Sequence, residues 1–478
     1  MSSQPNPAPV SEASAALRAR LPELPFDDSP AHIAEQSLDT YWKAKALAAA
    51  GRPILADGVV RPENAEQVGQ VLAAASELGI PIVPRGGGSG SQGGAVPQLG
   101  GVILDLSGLD SIVEFDDESC TVRVQAGVPG QELEDRLNER GYTFPHFPAS
   151  VHLARVGGYL AAKGSGVLST KYGKIEDLVA SMQVALPDGS LMRTVPVPRH
   201  SIGPDLNQLF IGSEGALGVI TEATLLVMPV PERRSFRMVG FDGLESAMTA
   251  MRGILQAGWR PCVARLSDES ATDSNLAKVL DIDLAGVKLI LGFDGPTARV
   301  DFEQREVLKL LEAAGGRDEG SEVADLWWEN RYKIYYPPFR PELPFIWGTA
   351  DVVAPFSRML PAYNALRTHM LGEYERYDLH FSGHFSHWYP WGAMVYGRFT
   401  VRNPPEDLDE SVALYDDIWR RSSRLMLEHG VVLNDHHGVG LKLADDMPAQ
   451  WGDAWPLLQR IKTCIDPAGM MNPGKLGL

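Results

Sequence analysis

The chain has 478 residues, more than one hydrophobic core usually organises, so two or three domains are expected. Its 43 basic and 61 acidic side chains leave a net charge of −18, which argues against a nucleic-acid-binding surface and against a polybasic membrane anchor. Hydrophobic residues at 44% and charged residues at 22% fit a soluble globular protein, and the three distant cysteines, Cys120, Cys262 and Cys464, make neither a disulfide framework nor a Cys-x-x-Cys site.

Residues 1–45 read as an arm with a short helix, rich in Pro, Ser and Ala at its start and without the apolar core of a signal peptide. No apolar stretch approaches the roughly 20 residues that span a bilayer, and the closing Leu476-Gly477-Leu478 is no peroxisomal tripeptide, so a reducing, cytoplasmic setting is expected. Pro62 fits a first helical turn, and Val68, Val71, Leu72, Ala75 and Leu78 recur at helical spacing until Gly79. A short buried strand over 80–83 leads into a glycine-rich loop, and an apolar strand over 102–106 follows it. Cys120, Val122 and Val124 alternate with polar residues as on a half-buried strand, and 131–140 returns to helix before Gly141. Runs at 178–186 and 191–194 flank the hairpin signal Asp188-Gly189, and a strand over 219–228 closes an α+β block ahead of Pro229 and Pro231. The stretch from about 234 to 425 mixes strands and helices with many aromatics. The last 50 residues carry glycine and histidine again.

The loop Pro84-Arg85-Gly86-Gly87-Gly88-Ser89-Gly90-Ser91-Gln92-Gly93-Gly94 formally contains Gly-x-Gly-x-x-Gly, but that dinucleotide pattern needs a helix directly behind it. Pro97, Gly100 and Gly101 forbid one, and no Gly-Lys-Ser/Thr makes a P-loop. What remains is a run of peptide N–H groups able to wrap an anion, with Arg85 as a charged donor beside it.

Residues 84–90 resemble the pyrophosphate loop of the vanillyl-alcohol oxidase / p-cresol methylhydroxylase superfamily of FAD enzymes. The superfamily's other segments follow in order: Pro148-Ala149-Ser150-Val151, Val156-Gly157-Gly158, Ala162-Lys163-Gly164-Ser165-Gly166, Tyr172-Gly173 with Ile175-Glu176-Asp177, the run from Gly212 to Thr224, and the closing Asp466-Pro467 with Asn472-Pro473-Gly474-Lys475. The resemblance implies a two-domain α+β flavoprotein: a p-cresol-methylhydroxylase-type FAD-binding domain over 46–232, a substrate-cap domain over 233–425, and a segment over 426–478 that returns to the flavin domain. It also implies FAD contacts from Pro84, Arg85, Gly86, Gly87, Gly88, Ser89, Gly90, Ser91, Pro148, Ala149, Ser150, Gly157, Gly158, Ala162, Lys163, Gly164, Ser165, Gly166, Glu214, Gly218, Val219 and Ile220. The loop has no His or Cys where some members attach flavin covalently, so FAD is expected to be non-covalent.

Two subfamilies compete for the catalytic half. The run from His384 to Tyr396 and Asp435-His436-His437-Gly438-Val439-Gly440 resemble the alkylglycerone-phosphate synthase group, whose active site uses three consecutive histidines, a tyrosine and an arginine. Here Asp435 stands in place of the first histidine, Arg398 stands near the tyrosine position with Tyr396 two residues earlier, and the arginine falls near Arg340. The FAD-dependent 2-hydroxyacid dehydrogenases share the closing Asn-Pro-Gly-Lys, and Gly383-His384 resembles part of their metal site. The rest of that site is missing and His436 replaces its glutamate, so His384, His387 and His436 are read as hydrogen-bonding residues and no metal is expected.

Oxidation of a hydroxyl-bearing carbon by flavin needs a base for the hydroxyl proton. His436 or His437 suits that task, Asp435 can orient one of them, and Arg398 or Arg340 can hold a carboxylate, phosphate or phenolate. The expected catalytic group is therefore His436, His437, Tyr396 and Arg398, with Arg340, His384, His387 and Tyr389 around the substrate. The expected activity is FAD-dependent oxidation of a small alcohol, phenol or hydroxy acid, with an ether-forming synthase and a flavin carrier without turnover as alternatives. Expected partners are a small-molecule substrate, an electron acceptor (oxygen or a carrier) and a second copy of the chain.

Overall fold

Three sheets of four or more strands organise the computed structural model, which describes residues 12–337 and 339–478; the first eleven residues of the expected arm and Pro338 lie outside the described residues. The first sheet has the order Phe26–Asp27, Gly58–Val60, Val102–Asp105, Ile82–Arg85, with its last three strands parallel. Such pairing needs crossovers, and the helix Ala65–Leu78 provides one. Its start corrects the expectation at Pro62. The cap is Asn64, whose side chain accepts from Gln67 N at 2.9 Å, so Pro62 lies outside the helix.

The second sheet is antiparallel, in the order Ile112–Asp116, Thr121–Gln125, Val219–Leu226, Val179–Ala185, Leu191–Arg193. The alternation around Val122 and Val124 buries both against Leu133 and Leu137 of the helix Gly130–Asn138. The third sheet has seven antiparallel strands, in the order Arg317–Asp318, Arg233–Phe241, Val287–Gly295, Val263–Ser267, Leu379–Tyr389, Gly392–Val401, Ile346–Pro355. Its two-residue period explains the packing. Leu266, Val352, Phe385, Val395 and Phe399 join a core with the helices Leu244–Gln256, Thr297–Ala313, Phe356–Glu373 and Leu408–Glu428. Their neighbours Arg265, Thr349, His384, Tyr396 and Arg398 face the other way.

The arm does more than the single helix expected of it. It forms helices Glu12–Arg20, Pro30–Gln36 and Trp42–Ala49, and between the last two Thr40 N donates to the Gly90 carbonyl at 2.8 Å. The closing residues anchor to the same loop region. Asn472 Nδ2 donates to the carbonyls of Glu214 at 2.6 Å and Gly94 at 3.0 Å, and the buried Lys475 ammonium donates to Val96 O at 2.8 Å. No helix among the described residues is long and apolar enough to cross a membrane.

Candidate active site between the glycine segments and the seven-stranded sheet

One cavity of about 380 Å³ is walled on one side by residues 84–92 and by the segments around 148–150, 157–158, 164–167 and 213–220. Its opposite wall is the polar face of the seven-stranded sheet together with His436 and His437. The glycine loop meets the cavity with its amides. The carbonyls of Ser89 and Gly90 are already engaged, accepting from Tyr335 Oη at 2.7 Å and Thr40 Oγ1 at 2.6 Å. The fold's hydrogen bonds leave the peptide N–H groups of residues 86–91 unengaged among the described residues. Gly88 takes φ +61°, and a Cβ there would overlap the Arg85 guanidinium. Arg85 is buried behind the loop and its Nη1 donates to Leu38 O at 2.7 Å, so it props the loop instead of extending freely into the cavity.

These features fit FAD. The unengaged amides suit a pyrophosphate. A Cβ built on Gly90 or Gly158 meets nothing within 4 Å, so both leave open space at the wall. Gln92 and His146 line the cavity, each 1% exposed, and both side-chain amide atoms of Gln92 and both ring nitrogens of His146 lack a partner among the described residues. Buried polar atoms without partners are costly, which argues for a polar occupant. Of the expected FAD contacts, Lys163 stands apart. It adopts φ +54°, its side chain is 41% exposed, and its ammonium lies 3.8 Å from Glu176, away from the cavity lining.

On the opposite wall the structure brings together Arg340, His384, His387, Tyr396, Arg398, His436 and His437. It does not bring Tyr389. His387 adopts φ +49° at a register irregularity between Ser386 and Tyr389, which breaks the strand's alternation. Beyond it Trp388 is buried with Nε1 donating to Ala264 O at 3.0 Å, and the Tyr389 ring lies 6.3 Å from that of Trp391, outside the cavity lining.

The loop carrying Asp435, His436 and His437 is neither helix nor strand, so adjacent imidazoles can reach one cavity. His387 Nδ1 donates to Asp435 Oδ2 at 2.7 Å and His436 Nδ1 donates to the same oxygen at 3.1 Å. The Lys174 ammonium donates to the Asp435 carbonyl and lies 3.5 Å from Oδ1. Burial would raise the Asp435 pKa, but the hydrogen bond and charge of His387, the hydrogen bond from His436 and the charge of Lys174 hold it well below the usual carboxylate range.

Asp351 organises the second half of the loop. Its Oδ2 accepts from the peptide N–H groups of Asp435 and His436, both at 3.3 Å, and its Oδ1 lies 2.9 Å from His437 Nδ1, close but not aligned as a hydrogen bond. Burial opposes ionisation of Asp351, and the adjacent His437, His436 and Lys442 reverse that, keeping its pKa low. His436 is pushed down to about 4 by burial and the His437 charge, against the pull of Asp435 and Asp351. His384 stacks on Tyr396 with ring centroids 4.7 Å apart, and burial next to Arg265 keeps it neutral, far below the usual histidine pKa. Two overlapping sets, Asp351 with His436 and His437, and His387 with Asp435 and His436, hold metal-ligand-type atoms within 4.8 Å of one another. His384 belongs to neither set, although it lines the same cavity as His387 and His436.

Sequence reasoning passed over Asp351, Arg265, Lys174 and His146. The signal for the first two was a lone charge inside an apolar alternation, Asp351 within Ile346–Pro355 and Arg265 within Val263–Ser267. Neither carries a local motif.

Comparisons with known proteins agree with this geometry. Residues 56–195 match the family described as an FAD binding domain, and residues 230–476 match the family described as FAD linked oxidases, C-terminal domain. The chain is 27% identical over 452 residues to the alkyldihydroxyacetonephosphate synthase of Trypanosoma brucei brucei, covering 88% of this chain and 73% of that one. It is 30% identical over 437 residues to the uncharacterised FAD-linked oxidoreductase YgcU of Escherichia coli (strain K12), covering 87% and 88%. A structure of p-cresol methylhydroxylase with substrate bound superposes with a TM-score of 0.79 at 18% identity, over 98% of this chain and 96% of that one. The unengaged amides, the small residues along the wall and the matched domains have one reading: the chain belongs to the FAD-linked oxidase family and is an FAD-dependent oxidoreductase.

Proposed function

We propose that the enzyme oxidises a small organic anion bearing a hydroxyl group, with a hydroxy acid as the leading class. The observation that carries this reading is the charge of the substrate wall. Arg265, Arg340 and Arg398 line one cavity, and among the described residues none of them has a carboxylate partner. Arg398 donates to Asn275 Oδ1 at 2.9 Å and Phe339 O at 2.7 Å, and Arg340 lies between the rings of Tyr335 and Trp347. Half-buried guanidinium groups in this state favour an anionic ligand.

FAD, when bound, supplies a two-electron acceptor for the carbon-bound hydrogen of the substrate. The chain's own residues do the rest. The arginines orient the anion and set the hydroxyl toward the histidine loop. His437 takes the hydroxyl proton at Nε2, because Nδ1 lies beside the Asp351 carboxylate, which also offsets the charge gained. His436 serves less well, since its pKa is pushed down to about 4 and its Nδ1 is committed to Asp435. Tyr396 and His384 close the pocket as a stacked pair.

A second reading, ether-bond formation, is favoured by the 27% identity to a synthase over most of the chain. Against it stand Asp435 and Arg398, which occupy positions where the synthase group is expected to carry histidine and tyrosine. The test is an anaerobic screen of flavin bleaching with 2-hydroxy acids, phosphorylated alcohols and uncharged alcohols of matched size. The anionic compounds are expected to bleach the flavin. Bleaching by uncharged alcohols alone would overturn the substrate class.

A further inference from the structure

We propose that His146 is a hydrogen-bonding ligand of the FAD isoalloxazine ring. The residue precedes the Pro148-Ala149-Ser150 segment and lines the same cavity as Gly164, Ser165, Gly166 and His387. It is 1% exposed, yet neither Nδ1 nor Nε2 has a partner among the described residues. Its position is built. The ring packs edge-on against Tyr159 at 4.8 Å and beside Phe144 at 5.8 Å, and His146 N donates to Phe144 O at 2.7 Å. Gly166 runs so close that a Cβ there would overlap the His146 carbonyl, and a Cβ on Gly164 would lie 3.5 Å from Nε2.

Burial, with the nearby charges of His387, Lys174 and His436, pushes the His146 pKa down to about 3, so the ring is neutral and offers one donor and one acceptor. An apolar neighbourhood would be better filled by Phe or Leu. An imidazole kept there without a partner among the described residues matches a ligand with alternating carbonyl and ring-nitrogen atoms along its edge. Isoalloxazine has that edge, and Gly164 and Gly166 let the backbone close on His146 at the wall of the same cavity. A donor to that edge favours the more electron-rich, reduced ring.

The test compares His146→Phe, His146→Leu and His146→Gln with the wild-type holoenzyme by FAD dissociation constant, visible flavin spectrum and flavin midpoint potential. Phe and Leu keep the packing and remove the hydrogen bond. They are expected to weaken FAD binding about 10-fold, shift the visible bands and move the potential to more negative values. Gln keeps a donor and an acceptor and is expected to recover most of the affinity and spectrum. Should either apolar variant fail to fold, the other is read against Gln. Unchanged affinity, spectrum and potential in a folded apolar variant would overturn the proposal, as would equal losses in Gln and the apolar variants, since both outcomes place the residue outside the flavin's hydrogen bonds.

Discussion

The two walls of the cavity are built on different principles. The glycine wall is mainly backbone: unengaged amides over residues 86–91, small residues at Gly158, Gly164 and Gly166, and carbonyls engaged by Thr40 and Tyr335. The opposite wall is side chains set by strand register and one irregular loop, with each imidazole beside a carboxylate, or on a ring it stacks with. A backbone wall tolerates few Cβ atoms but leaves contiguous traces in sequence. A side-chain wall tolerates more substitution yet depends on residues far apart in the chain.

That contrast orders the expected effects. Gly88→Glu should abolish FAD retention, because φ +61° strains any side chain and the Cβ overlaps the Arg85 guanidinium that props the loop. Flavin content after gel filtration of the folded variant checks it, and a full complement of FAD would show that the backbone wall is not the anion site. On the other wall, His437→Ala should keep FAD and slow anaerobic flavin reduction by roughly 10²–10⁴, the usual cost of losing a general base. An unchanged stopped-flow rate would move the base to His436.

Asp351→Asn should cost less, about 10-fold or somewhat more in the reduction rate, because the amide keeps the shape but loses the charge that offsets a protonated His437. Its pH–rate profile should shift toward lower pH, since a base without its carboxylate holds a proton less readily. A profile matching wild type would reduce Asp351 to a prop for the loop. A smaller effect concerns acid stability. His436 titrates at about 4 folded and near 6.5 unfolded, so the unfolded chain holds the extra proton between those values. Stability from the neutral ring is full above about pH 6.5 and is lost as pH falls toward 4. His436→Gln should therefore flatten the fall in melting temperature over that window relative to wild type. The smallest effect should be at Tyr389, where Phe should change the rate by no more than about twofold and stability by about 0.5 kcal/mol, as expected away from the cavity.

The same contrast explains what could be read in advance. The flavin segments are short, ordered and glycine-marked, so the family resemblance they carry grouped them in advance, and all of the expected FAD contacts but Lys163, whose left-handed backbone turns it toward Glu176, line one cavity wall. The histidine loop was legible as a cluster because His436 and His437 are adjacent. Asp351 was not, since its role appears only once Ile346–Pro355 pairs with Gly392–Val401 and sets it opposite Tyr396. Arg265 emerged likewise through pairing of Val263–Ser267 with Leu379–Tyr389. Tyr389 misled because the backbone takes φ +49° at His387 and the register breaks before Tyr389, which the residue pattern alone does not show. His146 carried no motif, and only its missing partners in the folded chain draw notice.

The central claim is that the Asp351–His437 and Asp435–His387/His436 groups serve net oxidation, in which reduced flavin must hand its electrons onward, and not a cycle that returns the flavin unaided. The direct measurement is to supply a bleaching substrate to the holoenzyme in a sealed vessel without oxygen or dye, following flavin absorbance and product together. The account expects one equivalent of product per flavin, a single loss of the yellow colour, and recovery of turnover only when an acceptor is admitted. Product forming repeatedly under seal, with the flavin still yellow, would contradict it and assign the site to the synthase reaction.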